Sequence, residues 1–129
     1  MSEDIEEFVF NLGMEQVKHS IEVQNMTKKF RRKFLDERRP EVAGMVKALL
    51  ECINRAEEPM YLRDIAVIVV ARARSLENFR LFSGIYKEGG RQSERIIRQE
   101  WAIHQWLVAL QKNEMLKGNY NEYTGRYRP

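Results

Sequence analysis

The feature that most constrains the fold is a stripe of apolar residues just after Pro40. These residues recur at positions i, i+3, i+4, i+7, i+8 and i+11, and they are Val42, Met45, Val46, Leu49, Leu50 and Ile53. Because residues three and four apart share one face of an α-helix, the spacing predicts an amphipathic helix with one buried face. Such a face needs partners, so other elements of the chain must fold against it.

The composition favours helices for those partners. The chain has 129 residues, of which 43% are hydrophobic and 32% are charged, and it contains 7 Gly and 3 Pro. This is enough apolar material for one core and too few turn residues for an all-β domain, and it argues against wholesale disorder. We therefore predict a mainly α fold of about five helices.

Several classes of protein are excluded at this stage. No run approaches the roughly 18 uncharged apolar residues of a membrane span. The acidic start, Met1–Asp4, has no apolar stretch, so we expect no secretory signal. One cysteine and two histidines make a disulfide or a structural zinc site unexpected. We expect an intracellular protein without metal, cofactor or membrane contact, in the cytoplasm or, depending on the host, the nucleoid or nucleus.

The residues before Pro40 predict one long helix over about residues 3–37. Ser2 can cap it and Gly13 can break or kink it. Its apolar face is thinner than that of a core helix, and two interpretations stay open: an arm that packs against a partner chain, or a helix that lies on the body. The corresponding domain division is a helical arm at 1–39 and a helical domain at 40–129.

Three more helices are predicted after the apolar stripe. The β-branched run Ile68–Val70 suits a strand or a buried helix, and the length of its segment favours the helix. A shorter helix is expected over about residues 76–87. A long one is expected from a cap at Ser93 to about Leu116, with Gly118 as its stop signal, and Tyr123–Gly125 can turn a short hairpin after it.

Charge is unevenly distributed along the chain. The net charge is only +3, but residues 1–27 hold six acids and one base, whereas residues 28–39 hold seven bases and two acids. Two interpretations are open for each basic cluster: a solvated helix face with i,i+4 pairs, or a surface for a negatively charged partner.

Residues 42–127 resemble a winged helix-turn-helix DNA-binding domain. The matching pieces are the helix ending in Leu49–Asn54, the segment Glu57–Ala66 in which a proline turn leads into "LRDIA", and the helix Trp106–Gly118 followed by the basic aromatic stretch Tyr123–Arg128. The sequence departs from this family in two ways: residues 75–92 replace the usual tight turn, and the wing is short. The resemblance implies a winged-helix-like core that carries the long N-terminal helix and ends in a short wing or tail.

The resemblance also implies which residues meet double-stranded DNA. The start of the last helix would read base edges in the major groove, and basic residues of the tail and of the N-terminal segment would contact phosphates. The base-reading candidates are Arg91, Gln92, Ser93, Arg95, Arg98 and Gln99. The phosphate-contact candidates are Lys117, Arg126, Arg128, Lys28, Lys29, Arg31 and Arg32, with Tyr123 or Tyr127 packing on sugar. Pairing of Arg95 and Arg98 with Glu94, Glu100 or acids of another helix is the alternative for those two residues.

The function that we predict is transcriptional regulation by DNA binding, without catalysis. The N-terminal segment would form a homodimer or bind a protein partner. The alternative is a helical adaptor or structural subunit of a nucleoprotein or virion assembly, such as a viral or phage protein. A small ribonuclease is a weaker possibility: Arg98 and His104 have the R-x5-H spacing of the HEPN type, but Gln99 replaces its usual Asn or Asp, and a core histidine is the better interpretation.

Overall fold

The fold is mainly helical, as predicted, with one small antiparallel sheet. The computed structural model describes residues 2–74 and 92–129, and only the backbone at residues 2–4, 74 and 92–98. The helix predicted over 76–87 lies outside the described residues. The described elements are α1 (Ser2–Lys18), α2 (Ile21–Gln24), α3 (Lys28–Arg55), β1 (Met60–Tyr61), α4 (Leu62–Arg74), α5 (Gln92–Lys112), β2 (Asn119–Asn121) and β3 (Arg126–Arg128).

The N-terminal segment forms three helices, so the prediction of one long helix is wrong. Helix α1 continues through Gly13 and ends at Lys18. Ser20 then caps α2 by accepting a hydrogen bond from the Val23 backbone N–H, and Thr27 caps α3 by accepting one from Phe30. Because Ser and Thr at such positions satisfy backbone donors that the helix leaves unpaired, each of them starts a new helix.

Helix α3 runs through Pro40, where the sequence predicted a boundary. Proline lacks the backbone N–H that would bond to the Asp36 carbonyl, so α3 loses one hydrogen bond there. Asp36 and Pro40 are both exposed, so water can satisfy that carbonyl. The division between 1–39 and 40–129 therefore falls inside a continuous helix.

Helix α1 lies on the body of the molecule. It contacts α3 along its length and also contacts α5, and Val9 is fully buried in the common core. A Cβ atom built on Gly13 would lie 2.5 Å from Val42 Cγ1 and 3.1 Å from Trp106 Cζ2. The absence of a side chain at Gly13 therefore lets α1 approach both helices closely.

The core is formed mainly by α3, α4 and α5. The predicted stripe of α3 supplies Met45, Val46 and Leu49, all buried. The Ile68–Val70 run is helical, and α4 buries Val69 and Val70 while Ile68 stays 44% exposed. None of the described helices is both long enough and apolar enough to cross a membrane.

Helix α5 ends earlier than predicted, and Gly118 is not its stop. Glu114 adopts a left-handed φ of 57° after Lys112. The Met115 N–H donates to the Leu110 carbonyl, and the Glu114 N–H donates to the Gln111 carbonyl. This pair of bonds is the Schellman arrangement that closes a helix.

The three strands bring distant parts of the chain together in the order β1-β3-β2. The predicted hairpin around Tyr123–Gly125 is present and joins β2 to β3. Strand β1, which directly precedes α4, pairs with β3 through Met60 opposite Tyr127. The tail is therefore a short wing fastened between the start of α4 and the end of α5.

Candidate nucleic-acid interface

A concave surface of about 590 Å³ covers one side of the sheet and its turn. We call it the wing surface. Its residues come from β1, the end of α5 and the hairpin, and they are Tyr61, Gln111, Asn119, Tyr120, Asn121, Glu122, Tyr123, Thr124, Arg126 and Arg128. This set contains aromatic rings, amides and two guanidinium groups beside a single acid, Glu122.

The turn of the wing is shaped by two local features. Asn121 Oδ1 accepts hydrogen bonds from the Tyr123 and Thr124 backbone N–H groups at 2.9 and 3.1 Å. Gly125 adopts a φ of 72°, which a glycine tolerates better than other residues, and its carbonyl accepts from the Leu62 N–H at 2.7 Å. The tip is therefore tied to the first residue of α4.

Two tyrosines that face each other across β2 and β3 anchor the wing to the core. Tyr120 and Tyr127 are 1% and 0% exposed. The Tyr120 hydroxyl lies 2.7 Å from His104 Nδ1 on α5, and the Tyr127 hydroxyl donates to the Lys117 carbonyl. Burial raises the pKa of both phenols, so they stay protonated at neutral pH.

Gln111 fixes the first strand of the wing to α5. Its Oε1 accepts from the Tyr120 N–H at 2.6 Å, and its Nε2 donates to the Tyr120 carbonyl. The Gln111 carboxamide thus makes the two hydrogen bonds with Tyr120 that the backbone of a neighbouring strand would otherwise make. The position of β2 is therefore set by a side chain of the preceding helix.

The wing surface exposes groups that suit a polyanion with sugar or base rings. Tyr123 is 90% exposed at the tip and Tyr61 is 55% exposed on β1. The Arg126 guanidinium lies over the Tyr61 ring at 5.9 Å, and Arg128 is exposed at the end of β3. Guanidinium groups bind phosphate with two parallel hydrogen bonds, and tyrosine rings stack on bases or pack on sugars.

The structure brings some of the predicted contact residues together. Arg126 and Arg128 both line the wing surface, with Tyr123 beside them. Lys117 is exposed just before β2, where its Nζ donates to the Asn54 carbonyl at the end of α3. Tyr127, which was predicted to pack on sugar, is instead buried in the core. The other tyrosine predicted for this role, Tyr123, is the exposed one.

The base-reading candidates lie mostly where side chains are not described. Arg91 is outside the described residues, and Gln92, Ser93, Arg95 and Arg98 are placed by their backbone in the first two turns of α5. Gln99 is the one base-reading candidate whose side chain is described.

The prediction for Gln99 is wrong, because its side chain is 9% exposed and faces the interior. Gln99 lies four residues before Ile103 and seven before Trp106, both buried, so it continues their stripe on α5. Trp101, two residues after Gln99, is 66% exposed. The buried face of α5 therefore includes Gln99 and excludes Trp101.

The basic run at the start of α3 is far from the wing. Lys28 and Asn54 lie near opposite ends of α3, which at a rise of 1.5 Å per residue separates them by about 39 Å. Lys28, Lys29 and Arg32 are exposed there. The basic run therefore forms a second surface and does not extend the wing surface.

Arg31, another predicted phosphate contact, makes hydrogen bonds within the protein. Its guanidinium donates to the backbone carbonyls of Val23, Gln24 and Met26 at 3.2 to 3.3 Å. These carbonyls lie at the end of α2 and in the turn after it. Arg31 therefore holds α2 against the start of α3.

The sequence interpretation missed several residues of the wing surface. Tyr61, Asn119, Asn121 and Thr124 join it because the sheet brings β1 beside the hairpin. A signal was available in Asn121, since an Asn two or three residues before a turn commonly accepts bonds from its backbone. The pairing of Tyr61 with Arg126 had no local signal.

His104 is held by neighbours in a way that suits a structural role. Its ring stacks on Trp101 at a centroid distance of 6.0 Å, and Nδ1 meets the Tyr120 hydroxyl. Within the described residues, no three His, Cys, Asp or Glu side chains come together in a way that suits a metal ion.

In comparisons with known proteins, no family model, no curated protein and no solved structure matches the chain.

Proposed function

We propose that the chain is a DNA-binding transcriptional regulator of winged helix-turn-helix type. The observation that carries the proposal is the wing surface, where Arg126 and Arg128 stand beside the exposed rings of Tyr61 and Tyr123. Guanidinium groups that flank aromatic rings on a concave surface suit a sugar-phosphate backbone better than an apolar ligand. Such a protein works where its host keeps its DNA, in the cytoplasm, nucleoid or nucleus.

The order of the elements also supports this proposal. A strand precedes α4, and a hairpin follows α5 and pairs with that strand. In the winged-helix resemblance, the helix before the hairpin enters the major groove while the hairpin contacts the flanking backbone. The first turns of α5, with Gln92, Ser93, Arg95 and Arg98, would then supply base contacts.

The first experiment measures binding to a DNA duplex of about 24 base pairs over a range of salt concentrations. Arg128→Ala is expected to weaken binding and to lower the slope of log K against log salt by about 1, because one phosphate contact is lost. Lys47→Ala removes the same charge at an exposed position in the middle of α3 that is not a phosphate-contact candidate, and it is the matched control. Equal effects of the two variants would show that the wing surface makes no special contact.

A second measurement separates a regulator from a non-specific binder. A regulator retains a preferred sequence in excess competitor DNA, and Arg95→Ala with Arg98→Ala should abolish that preference while leaving weak binding. Uniform weak binding in the unaltered protein would contradict sequence readout and support the adaptor function.

The adaptor function is the second candidate because of an apolar surface near the basic end of α3. Ile21 is 79% exposed and Phe30 is 67% exposed, and both lie in the N-terminal segment. Exposed large apolar side chains that lie close together in the chain suit a protein interface. This is also where we propose a second copy of the chain or a protein partner to bind.

The oligomeric state tests that partner surface. We expect light scattering to show a dimer that Phe30→Asp converts to a monomer, since a charge would be buried in the interface. Lys47→Asp makes the same kind of charge change at an exposed position more than four turns farther along α3 and serves as the control. A monomer at all concentrations would exclude the second copy and leave a different protein as the partner.

A further inference from the structure

A cavity of about 230 Å³ lies between the N-terminal helices and the body. Its walls come mainly from α1, α2, α3 and α5. No residue of the wing surface lines this cavity. Pockets for drug-sized ligands span about 300 to 1,000 Å³, so this cavity suits a smaller molecule, such as one ring with a short substituent.

One wall of the cavity carries a buried carboxylate with an unused oxygen. Glu41 is 2% exposed, and its Oε2 accepts from Arg38 Nη1 at 3.3 Å. Its Oε1 is buried and has no hydrogen-bond partner among the described residues. Because a buried acceptor without a donor costs free energy, a ligand that supplies a donor would recover part of that cost.

The remaining lining selects the charge of that ligand. Among the described lining residues, Arg38 is the only base, and Glu22 and Glu41 are the only acids. These three side chains carry one net negative charge when Glu41 is ionised. Phe34 and Trp106 add aromatic rings. Aromatic faces and an excess carboxylate both favour a cation over a neutral or anionic molecule.

We propose that this cavity binds a small organic ammonium ion, whose N–H group donates to the Glu41 carboxylate and whose apolar body packs against Trp106 and Phe34. Gln99, a buried residue of α5, adds a carboxamide to the lining of the cavity. The inference is independent of DNA binding, because the cavity and the wing surface share no residue.

The binding test uses benzylamine, which is a cation at neutral pH, and the two tryptophan indole N–H signals in NMR spectra. Trp106 lines the cavity, whereas Trp101 is exposed on another side of α5 and reports non-specific effects. We expect benzylamine to shift the Trp106 signal to saturation while the Trp101 signal stays in place. Benzyl alcohol and benzoate, of similar size, should bind at least tenfold more weakly.

The Glu41→Gln variant tests the role of the carboxylate. It keeps the shape of the side chain and removes its charge, so benzylamine affinity should fall at least tenfold while benzyl alcohol affinity stays the same. Affinity for benzylamine in the unaltered protein should also rise between pH 6 and pH 8 as Glu41 ionises in the presence of Arg38 and Glu22, and it should be independent of pH in the variant.

Three results would overturn the proposal: equal affinity for benzylamine and benzoate, unchanged benzylamine affinity in Glu41→Gln, or a shift of the Trp101 signal alone. If Glu41→Gln does not fold, Glu22→Gln replaces it, with an expected loss of about threefold because Glu22 is exposed. The Arg128→Ala variant should bind benzylamine normally, so failure of the cavity and failure of DNA binding remain distinguishable.

Discussion

The packing of α1 against α3 and α5 is sensitive to substitution at Gly13. A methyl group there would meet Val42 and Trp106 at distances that side chains do not reach without a shift. We expect Gly13→Ala to lower the free energy of unfolding by about 1–2 kcal/mol, because the overpacking outweighs the better helix propensity of alanine. Urea denaturation measures this. Asn11→Ala, on the exposed side of α1, should change stability by less than about 0.5 kcal/mol, and an unchanged or more stable Gly13→Ala would contradict the close approach.

Glu41 makes stability depend on pH. Burial raises the pKa of its carboxyl group to about 7, although the Arg38 guanidinium opposes the shift. The folded protein therefore retains a proton that the unfolded chain has lost between about pH 4.5 and pH 7, so the contribution of Glu41 to stability falls as pH rises through this window. The total loss is about 3 kcal/mol.

Urea denaturation of Glu41→Gln at several pH values measures this contribution. The stability of the variant relative to the unaltered protein should increase between pH 5 and pH 7 and level off above pH 8. A constant difference would show that Glu41 has the same pKa in the folded and unfolded chains.

Individual residues were predictable where their role is local. The turn around Tyr123–Gly125 follows from its own residue types, and so does the buried face of α3. Gln99 was assigned to the DNA-facing surface because the winged-helix resemblance implies that the start of the last helix reads bases, yet its helical register with Ile103 and Trp106 determines its burial. The unpartnered oxygen of Glu41 had no sequence signal, because it depends on the packing of four helices.

At the scale of the element, the wing depends on its attachment to α5. Gln111→Ala removes both hydrogen bonds to the Tyr120 backbone, and we expect a loss of about 1–3 kcal/mol in stability. Hydrogen exchange of the Tyr120 amide should become faster, while amides in the middle of α3 keep their rates. Lys112→Ala, an exposed neighbour, is the control, and unchanged exchange at Tyr120 would show that the strand is held without Gln111.

The type of each helix was predictable, but several of their ends were not. Pro40 is a boundary signal in isolation, whereas tertiary packing continues α3 through it at the cost of one exposed hydrogen bond. Ser20 and Thr27 are typical capping residues, and they carry the local signal for the two helix starts that divide the N-terminal segment. The winged-helix function itself stays a prediction.

At the scale of the whole molecule, the proposed DNA binding sets a minimum length for a duplex that would meet both basic surfaces. The start of α3 lies about 39 Å along the helix from Asn54, whose carbonyl accepts from Lys117 just before the wing, and this length corresponds to about 12 base pairs. We expect Lys28→Ala with Lys29→Ala to weaken binding to a duplex of about 24 base pairs only if one duplex meets both ends. On a duplex of about 8 base pairs the same variant should then bind like the unaltered protein. A loss on the short duplex equal to that on the long one would mean that the α3 end, and not the wing, is the primary contact.

The middle position of β3 in the sheet governs the order in which the molecule can assemble. The hairpin needs only its own neighbouring residues, but β1 reaches β3 only after α4 and α5 have closed the long loop between Met60 and Tyr127. We therefore expect β1 to dock late in folding, after the helices have packed. Separation of the hairpin from the body would expose the backbone of β1, so the contacts that hold the wing surface in shape also complete the fold.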